Sequence, residues 1–355
     1  MQSLDFQAAY RQARAAGARR HRDIAESLGV HEGQLVDAHV GAPDGGLQAR
    51  RLRADFPALL AELEPIGDVM ALTRNPHCVH ERTGIYERIS CKGPVGLTLG
   101  EEIDLRLFYS AWKAGYAVSE GEQHSLQFFD AQGDAVHKIF LRPNSHREAW
   151  FACMTRWADE SLAAPHWVES MAKPSPGAAA NTDLDAFRAD WASMRDTHEF
   201  FGLLMKHGLT RTQALRAAEP RFAQPLDAHA ARAVLQAAAG EGTPIMVFVG
   251  NPGCIQIHSG PVQRVVVMGP WLNVLDERFN LHLREDAIAE AWAVRKPTSD
   301  GLVSSLELFD TQGELIAQFF GQRKPGKPER CAWRQLIDRL VHEPAWQSDP
   351  VGCAA

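Results

Sequence analysis

The chain repeats itself. Residues 70–84 read MALTRNPHCVHERTG, and residues 246–260, 176 positions later, read MVFVGNPGCIQIHSG, with Met, Asn-Pro, Cys and the final Gly in register. The same offset lays Ile103-Asp-Leu-Arg-Leu over Phe279-Asn-Leu-His-Leu and Tyr116-Ala-Val over Trp292-Ala-Val. At an offset of 180, Ser125-Leu-Gln-Phe-Phe-Asp-Ala-Gln-Gly lies over Ser305-Leu-Glu-Leu-Phe-Asp-Thr-Gln-Gly, and Ala149-Trp150 falls over Ala332-Trp333 shortly after. Ordered blocks separated by one small gap mark a duplicated domain. The 355 residues agree, since about 150 per domain gives two.

Within each copy the pattern is mainly that of strands. Cys254-Ile-Gln-Ile-His alternates apolar and polar, and the Asn-Pro-Gly before it is a turn joining it to the apolar run 245–249. Phe-Asp-x-Gln-Gly, at 129–133 and 309–313, is a tight turn between two alternating segments, which predicts a hairpin in each copy. An amphipathic stretch closes each copy, over 150–157 and 333–340. The expected fold is α+β: a tandem duplication, each half a large antiparallel sheet with flanking helices. The expected boundaries are an N-terminal repeat over 1–172, a Pro-, Gly- and Ala-rich linker over 173–182, and central helices with the C-terminal repeat over 183–355.

The segment between the copies reads as a different kind of sequence. Phe187, Trp191, Met194, His198, Phe201 and Met205 recur at spacings of three and four, which predicts one helix over 183–207 with all six on its apolar face. A second helix is expected over 211–218, before Pro220. Near the N-terminus, Arg22-Asp-Ile-Ala-Glu-Ser-Leu-Gly-Val followed by Gln34-Leu-Val resembles a helix-turn-helix with Gly29 at the turn. Without a basic stripe after it, a plain helical pair lying on the first sheet is preferred to a DNA reader.

Composition removes several classes of function. Lys and Arg number 37 against 44 Asp and Glu, a net charge of −7, so no global field exists to hold a polyanion or an anionic membrane. The longest nearly uncharged apolar stretch, 265–275, falls far short of the roughly 20 residues that span a bilayer. The N-terminus reaches Arg11, Arg14, Arg19 and Arg20 without an apolar core, so no secretory signal is expected and the cytoplasm is the expected location. The six cysteines stand singly, which predicts reduced and mostly buried thiols rather than a zinc site or disulfides. Neither G-x-x-x-x-G-K-[ST], G-x-G-x-x-G after a strand, G-x-S-x-G nor H-E-x-x-H occurs, which argues against built-in ATP or NAD chemistry and the commonest hydrolases.

What remains is a set of His, Arg and Lys positions among aromatic and Met residues. On the expected apolar face His198 would be neutral, because burying an imidazolium is costly. A neutral imidazole facing an apolar slot is what an axial haem ligand requires, with Asp196 or a nearby carbonyl holding the other ring proton. A core histidine satisfied by a carbonyl fits the same spacing. Arg106, in Asp104-Leu-Arg-Leu-Phe, projects from one sheet face, either as a surface residue or as a distal donor whose guanidinium keeps its protons. Arg323, Lys324 and Lys327 follow directly after a strand that contains Gln318, and Lys296 stands in Arg295-Lys-Pro-Thr. These cations suit haem propionates, and serve equally as solvated turns.

The motifs 245–260, Met268-Gly-Pro-Trp-Leu-Asn-Val-Leu-Asp, Phe279-Asn-Leu-His-Leu-Arg-Glu-Asp, Phe319-Phe-Gly-Gln-Arg-Lys-Pro-Gly and Asp196-Thr-His-Glu-Phe-Phe closely resemble the HemS/ChuS/HmuS family of cytoplasmic haem-handling proteins, over essentially the whole chain. The resemblance implies tandem sheets and one haem b in a cleft formed with the central helices. It implies His198 as proximal iron ligand, Arg106 as distal and catalytic residue, and Phe248, Lys296, Gln318 and Arg323 as pocket or propionate residues. It also implies a bacterial haem-uptake role: receiving imported haem and degrading it oxidatively to release iron, or passing it as a chaperone to a separate haem oxygenase. The expected partners are haem, a haem ABC importer, an oxygenase or an electron-donating reductase, without stable membrane association and without DNA. Tyr109 and His207 are the substitutes should His198 not be the ligand.

Overall fold

The computed structural model describes residues 3–18, 20–42, 46–169, 182–324 and 326–343; the expected linker lies outside them except for Thr182. The first half runs α1 (Ser3–Ala15), α2 (His21–Ser27), α3 (Glu32–Asp37), β1 (Leu47–Arg51), α4 (Phe56–Ala61), β2 (Val69–Arg74), β3 (Cys78–Gly84), β4 (Ile89–Lys92), β5 (Val95–Leu99), β6 (Asp104–Phe108), β7 (Ala114–Glu120), β8 (Gln123–Phe129), β9 (Ala135–Leu141) and α5 (Arg147–Trp157). The second runs α6 (Leu184–Ala192), α7 (Glu199–His207), α8 (Arg211–Ala217), β10 (Ala223–Leu226), α9 (Ala230–Glu241), β11 (Ile245–Asn251), β12 (Cys254–Gly260), β13 (Val265–Met268), β14 (Trp271–Leu275), β15 (Phe279–Arg284), β16 (Glu290–Thr298), β17 (Gly301–Phe309), β18 (Leu315–Gly321) and α10 (Cys331–His342).

The order of elements is the same in both halves, helices included. The central helices α6, α7 and α8 are therefore the second copy's counterparts of α1, α2 and α3, and the repeat is longer than the sequence blocks reveal. One local device survives in both copies: α3 opens with a capping box between His31 and Gln34, and α8 with one between Thr210 and Gln213.

The strands form two nine-stranded antiparallel sheets, ordered β1-β7-β8-β9-β2-β3-β15-β14-β13 and β10-β16-β17-β18-β11-β12-β6-β5-β4. The chain divides into two compact units: Met1–Arg74 with His80–Ala172 and Gly250–Gln256, and Asn75–Val79 with Lys173–Val249 and Ile257–Ala355. In the first unit Tyr116 and Val118 of β7 pack with Tyr10, Ile24, Leu35 and Val36 of the N-terminal helices. The opposite face, with Leu126 and Phe128, packs with Phe56, Leu59 and Leu60 of α4 and Trp150 and Cys153 of α5. The second unit repeats the arrangement. Trp292 and Val294 of β16 meet Phe187, Trp191, Phe200 and Leu215, whereas Ala291, Ala293 and Leu306 meet Val234, Trp333 and Leu336. Strand alternation thus gives each unit's sheet two buried faces with helices on both.

A matching irregularity precedes each turn. The β8–β9 register shifts between Phe128 and Phe129, and the β17–β18 register between Leu308 and Phe309. Ordinary strand alternation puts the two residues of each pair on opposite faces: Phe128 packs with α4 and α5 and Phe129 with the N-terminal helices, as Leu308 packs with α9 and α10 and Phe309 with α6–α8. The expected hairpins follow: Asp130 Oδ1 accepts the N–H groups of Gln132, Gly133 and Asp134, and Asp310 Oδ1 those of Gln312 and Glu314. The five described cysteines are free thiols: Cys78, Cys153 and Cys254 are buried, Cys91 and Cys331 exposed. Among the described residues no helix is long and apolar enough to cross a membrane.

Candidate functional site

The single helix expected over 183–207 is two helices. α6 ends at Ala192 and α7 begins at Glu199, with His198 at its N-terminal cap. Local side chains compete for the backbone between them: Asp196 Oδ1 accepts the His198 N–H at 2.9 Å, Glu199 Oε2 accepts the Arg195 N–H at 3.2 Å, and Ser193 Oγ donates to the Asp190 carbonyl. The break shifts the helical phase, so α7 buries Phe200, Leu203 and Leu204. The other half of the expected stripe faces outward: Phe201 is 72% and Met205 69% exposed, and the His198 side chain is 93% exposed. His198 is thus neither a core histidine nor a buried one, and the argument that burial keeps it neutral falls.

Its presentation nevertheless suits a ligand. His198 Nδ1 lies 2.6 Å from Asp196 Oδ1. The backbone and side-chain hydrogen bonds from His198 hold the Asp196 carboxyl below the usual carboxylate range, with a smaller contribution from Arg323. An ionised carboxylate can only accept, so Nδ1 carries a proton, and in the neutral imidazole the lone pair then belongs to Nε2. Phe201 and Met205, three and seven residues on, continue the same face as an exposed apolar ridge.

Behind α7 the second unit's sheet holds a buried charge cluster centred on Glu307. Arg211 donates to both its oxygens, at 2.7 and 2.9 Å, Lys296 Nζ donates at 2.7 Å, Gln318 Nε2 at 2.9 Å and Ser305 Oγ at 3.1 Å. Burial alone would raise the Glu307 carboxyl; Arg211 and Lys296 outweigh it and hold the group ionised far below its ordinary range. Lys296, 3% exposed, is pushed down to about 8, by burial first and by Arg211 in addition, against the pull of Glu307. Lys296 is therefore not a solvated turn residue: it lies within β16 and is committed to an internal carboxylate.

The remaining candidates sort by unit. Gln318 sits between Glu307 and Phe248 in register across β17, β18 and β11, and the Phe248 ring meets Phe320 at 5.0 Å. Arg323 follows β18 and is half-buried; its Nη1 is buried without a hydrogen-bond partner among the described residues. His198, Phe248, Lys296, Gln318 and Arg323 thus all belong to the second unit. Arg106 belongs to the first, on β6, where its guanidinium is held by the Asp104 carboxylate and the Leu105 carbonyl at 3.2 Å. Of the substitutes, His207 is engaged, with Nε2 2.7 Å from Asp190, whereas the buried Tyr109 hydroxyl has no partner among the described residues.

Glu307, Arg211 and Phe200 are the residues that sequence reasoning missed. A signal for Glu307 was present: the second copy reads Ser305-Leu-Glu where the first reads Ser125-Leu-Gln, so an inward strand position gains a charge that needs cations. Among the described residues no group of three or more His, Cys, Asp or Glu is placed to hold a bare metal ion.

Comparison with known proteins gives this site its family. The haemin-degrading HemS.ChuX domain matches the chain twice, over residues 29–157 and 208–340. The hemin transport protein HmuS of Yersinia pestis is 40% identical over 335 residues, covering 91% of this chain and 93% of that protein. The crystal structure of holo-PhuS, a heme-binding protein from Pseudomonas aeruginosa, superposes with a TM-score of 0.92 at 46% identity, covering 96% of this chain and 99% of that one. ChuS, an E. coli heme oxygenase, gives 0.81 at 39% identity over 90% of this chain and 95% of its own. The chain belongs to the haemin-degrading HemS.ChuX domain family.

Proposed function

We propose that this chain binds haem through His198 in the cytoplasm of a bacterium, as the receiving component of a haem-uptake system, and opens the macrocycle oxidatively to release iron. The observation that carries this reading is the presentation of His198. An exposed imidazole has its Nδ1 proton fixed by Asp196 and its Nε2 open, beside an apolar ridge. The surroundings fit iron protoporphyrin IX, haem b. Its flat faces match Phe201 and Met205, and its propionates match the orphaned Nη1 of Arg323.

Haem supplies the redox chemistry when bound. The chain's own residues bind and orient it. His198 contributes a lone pair, Asp196 retains the proton at Nδ1, and Phe201 and Met205 exclude water from the ring. Phe248 and Gln318 line the same sheet face, and Lys296 serves from within the Glu307 cluster. Arg106 is assigned the distal and catalytic role that the family resemblance gives it, with Asp104 fixing its donors. The expected source of haem is an ABC importer, and the electrons come from a separate reductase.

A haem chaperone that hands its cargo to a dedicated oxygenase would use the same binding residues, and the transport role named for the Yersinia pestis relative favours that second reading. Hemin-loaded protein incubated with a reductant, O2 and catalase separates them. Loss of the Soret band with formation of a linear tetrapyrrole supports degradation; intact haem that moves to an added apo-oxygenase supports delivery.

A further inference from the structure

We infer that Glu307 is a positioning residue for His198, acting through Lys296, Arg211 and the Phe200 ring. The inference rests on the reading of His198 as the iron ligand. His198 sits at the first turn of a nine-residue helix, and its own polar contacts, to Asp196, are local to the loop before it. What ties that turn to the sheet is Phe200, two residues on and 2% exposed. Its ring meets Trp191 edge-on at 4.8 Å, the Lys296 Nζ lies 4.6 Å from its centroid, and the Arg211 guanidinium carbon 5.0 Å from it. Two cations thus lie against one aromatic ring.

Neither cation would stay there alone. Lys296 comes from β16 and Arg211 from the first turn of α8, and like charges in a dry interior repel strongly. Glu307, directly between them on β17 and fully buried, is the only carboxylate that both contact among the described residues. Removing its charge while keeping its shape takes away both the pull that keeps Lys296 protonated and the anion it shares with Arg211, so the two side chains are no longer held beneath Phe200. The first copy lacks this device. At the corresponding places it carries Glu32 on α3, Gln127 on β8 and Lys138 on β9, so the acid sits on the helix and the base on the sheet.

The test compares hemin titrations and ferric absorption spectra of wild type, Glu307→Gln and the double variant Glu307→Gln/Lys296→Met, with circular dichroism as the check on folding. The expectation is a folded Glu307→Gln protein that binds hemin about 10- to 100-fold more weakly, the range for a residue that orients a metal ligand, with an altered ferric spectrum. The double variant, which removes the unpaired buried amine along with the anion, should recover most of both. Should Glu307→Gln fail to fold, Phe200→Leu replaces it; that change leaves the charges intact, removes the ring that the two cations lie against and must show the same spectral change. A spectrum that depends on His198 but is unchanged in the variant overturns this inference alone, even where thermal stability falls. A wild-type spectrum indifferent to His198→Ala overturns the ligand assignment and this inference with it.

Discussion

Asp196 grips His198 at two points through one oxygen: Oδ1 accepts the backbone N–H at 2.9 Å and lies 2.6 Å from the ring Nδ1. The backbone bond shapes the turn before α7 and the side-chain bond places a proton on Nδ1, so one carboxylate orients both the loop and the imidazole. Asp196→Ala should therefore weaken hemin binding about 10- to 100-fold, as loss of the carboxylate behind a ligating histidine typically does. Asp196→Asn should lie between, because it still accepts from the backbone but carries no charge. Hemin titration followed at the Soret band checks both.

On the proposed reading Phe201 and Met205 serve binding rather than the fold. Both are mostly exposed, so Phe201→Ser and Met205→Gln should each change unfolding free energy by no more than about 0.5 kcal/mol. The same variants should bind hemin more weakly, because they remove apolar area from the ridge beside His198. Urea unfolding of the apo-protein set against hemin affinity provides the check; a large loss of stability with unchanged affinity would mean that the ridge packs on protein instead.

Arg323 Nη1 is buried with no hydrogen-bond acceptor among the described residues, which suits a carboxylate that arrives with the ligand. Arg323→Leu should weaken hemin binding several-fold. Hemin dimethyl ester, which has no propionate charge, should bind wild type and variant alike. A variant equally defective toward the ester would place Arg323 away from the propionates.

Acid stability should depend on the first unit's own charge cluster. Glu32, fully buried on α3, is 2.5 Å from Lys138 Nζ and 2.6 Å from Arg74 Nη2. Burial by itself would raise its carboxyl, but the two cations outweigh it and bring it down to about 2. A carboxyl depressed in the folded state stabilises above its unfolded value and loses that contribution as pH falls toward the folded one. Between about pH 4.5 and 2 wild type should therefore lose on the order of 3 kcal/mol that Glu32→Gln lacks from the outset. Denaturant unfolding of both proteins across that range measures it.

Much of this architecture was legible because strand periodicity and turn chemistry are local. The Phe-Asp-x-Gln-Gly hairpins, the closing helices and the helix after Thr210 follow from spacing and capping residues alone. The helical character of the α6–α7 region was legible as well, but its break was not. The three-and-four spacing through Met194 and His198 continues unbroken in the sequence, and only the competition of Ser193, Asp196 and Glu199 for backbone groups shows that the helix stops there. The consequence reaches the site, since a stripe read as buried becomes a ridge facing outward. Lys296 was misread for the reverse reason: a cation in Arg-Lys-Pro-Thr looks like a turn until its carboxylate, eleven residues later on the next strand, is known. The equivalence of α6–α8 with α1–α3 escaped notice because helical faces preserve periodicity rather than identity, and here even the charges are exchanged.

The most direct test is a titration of apo-protein with ferric hemin, comparing wild type with His198→Ala under conditions where circular dichroism shows both folded. The account predicts one hemin per wild-type chain with a histidine-ligated ferric spectrum, and in the variant a loss of that spectrum with weaker uptake. A variant that takes up hemin with the wild-type affinity and an identical spectrum would contradict it.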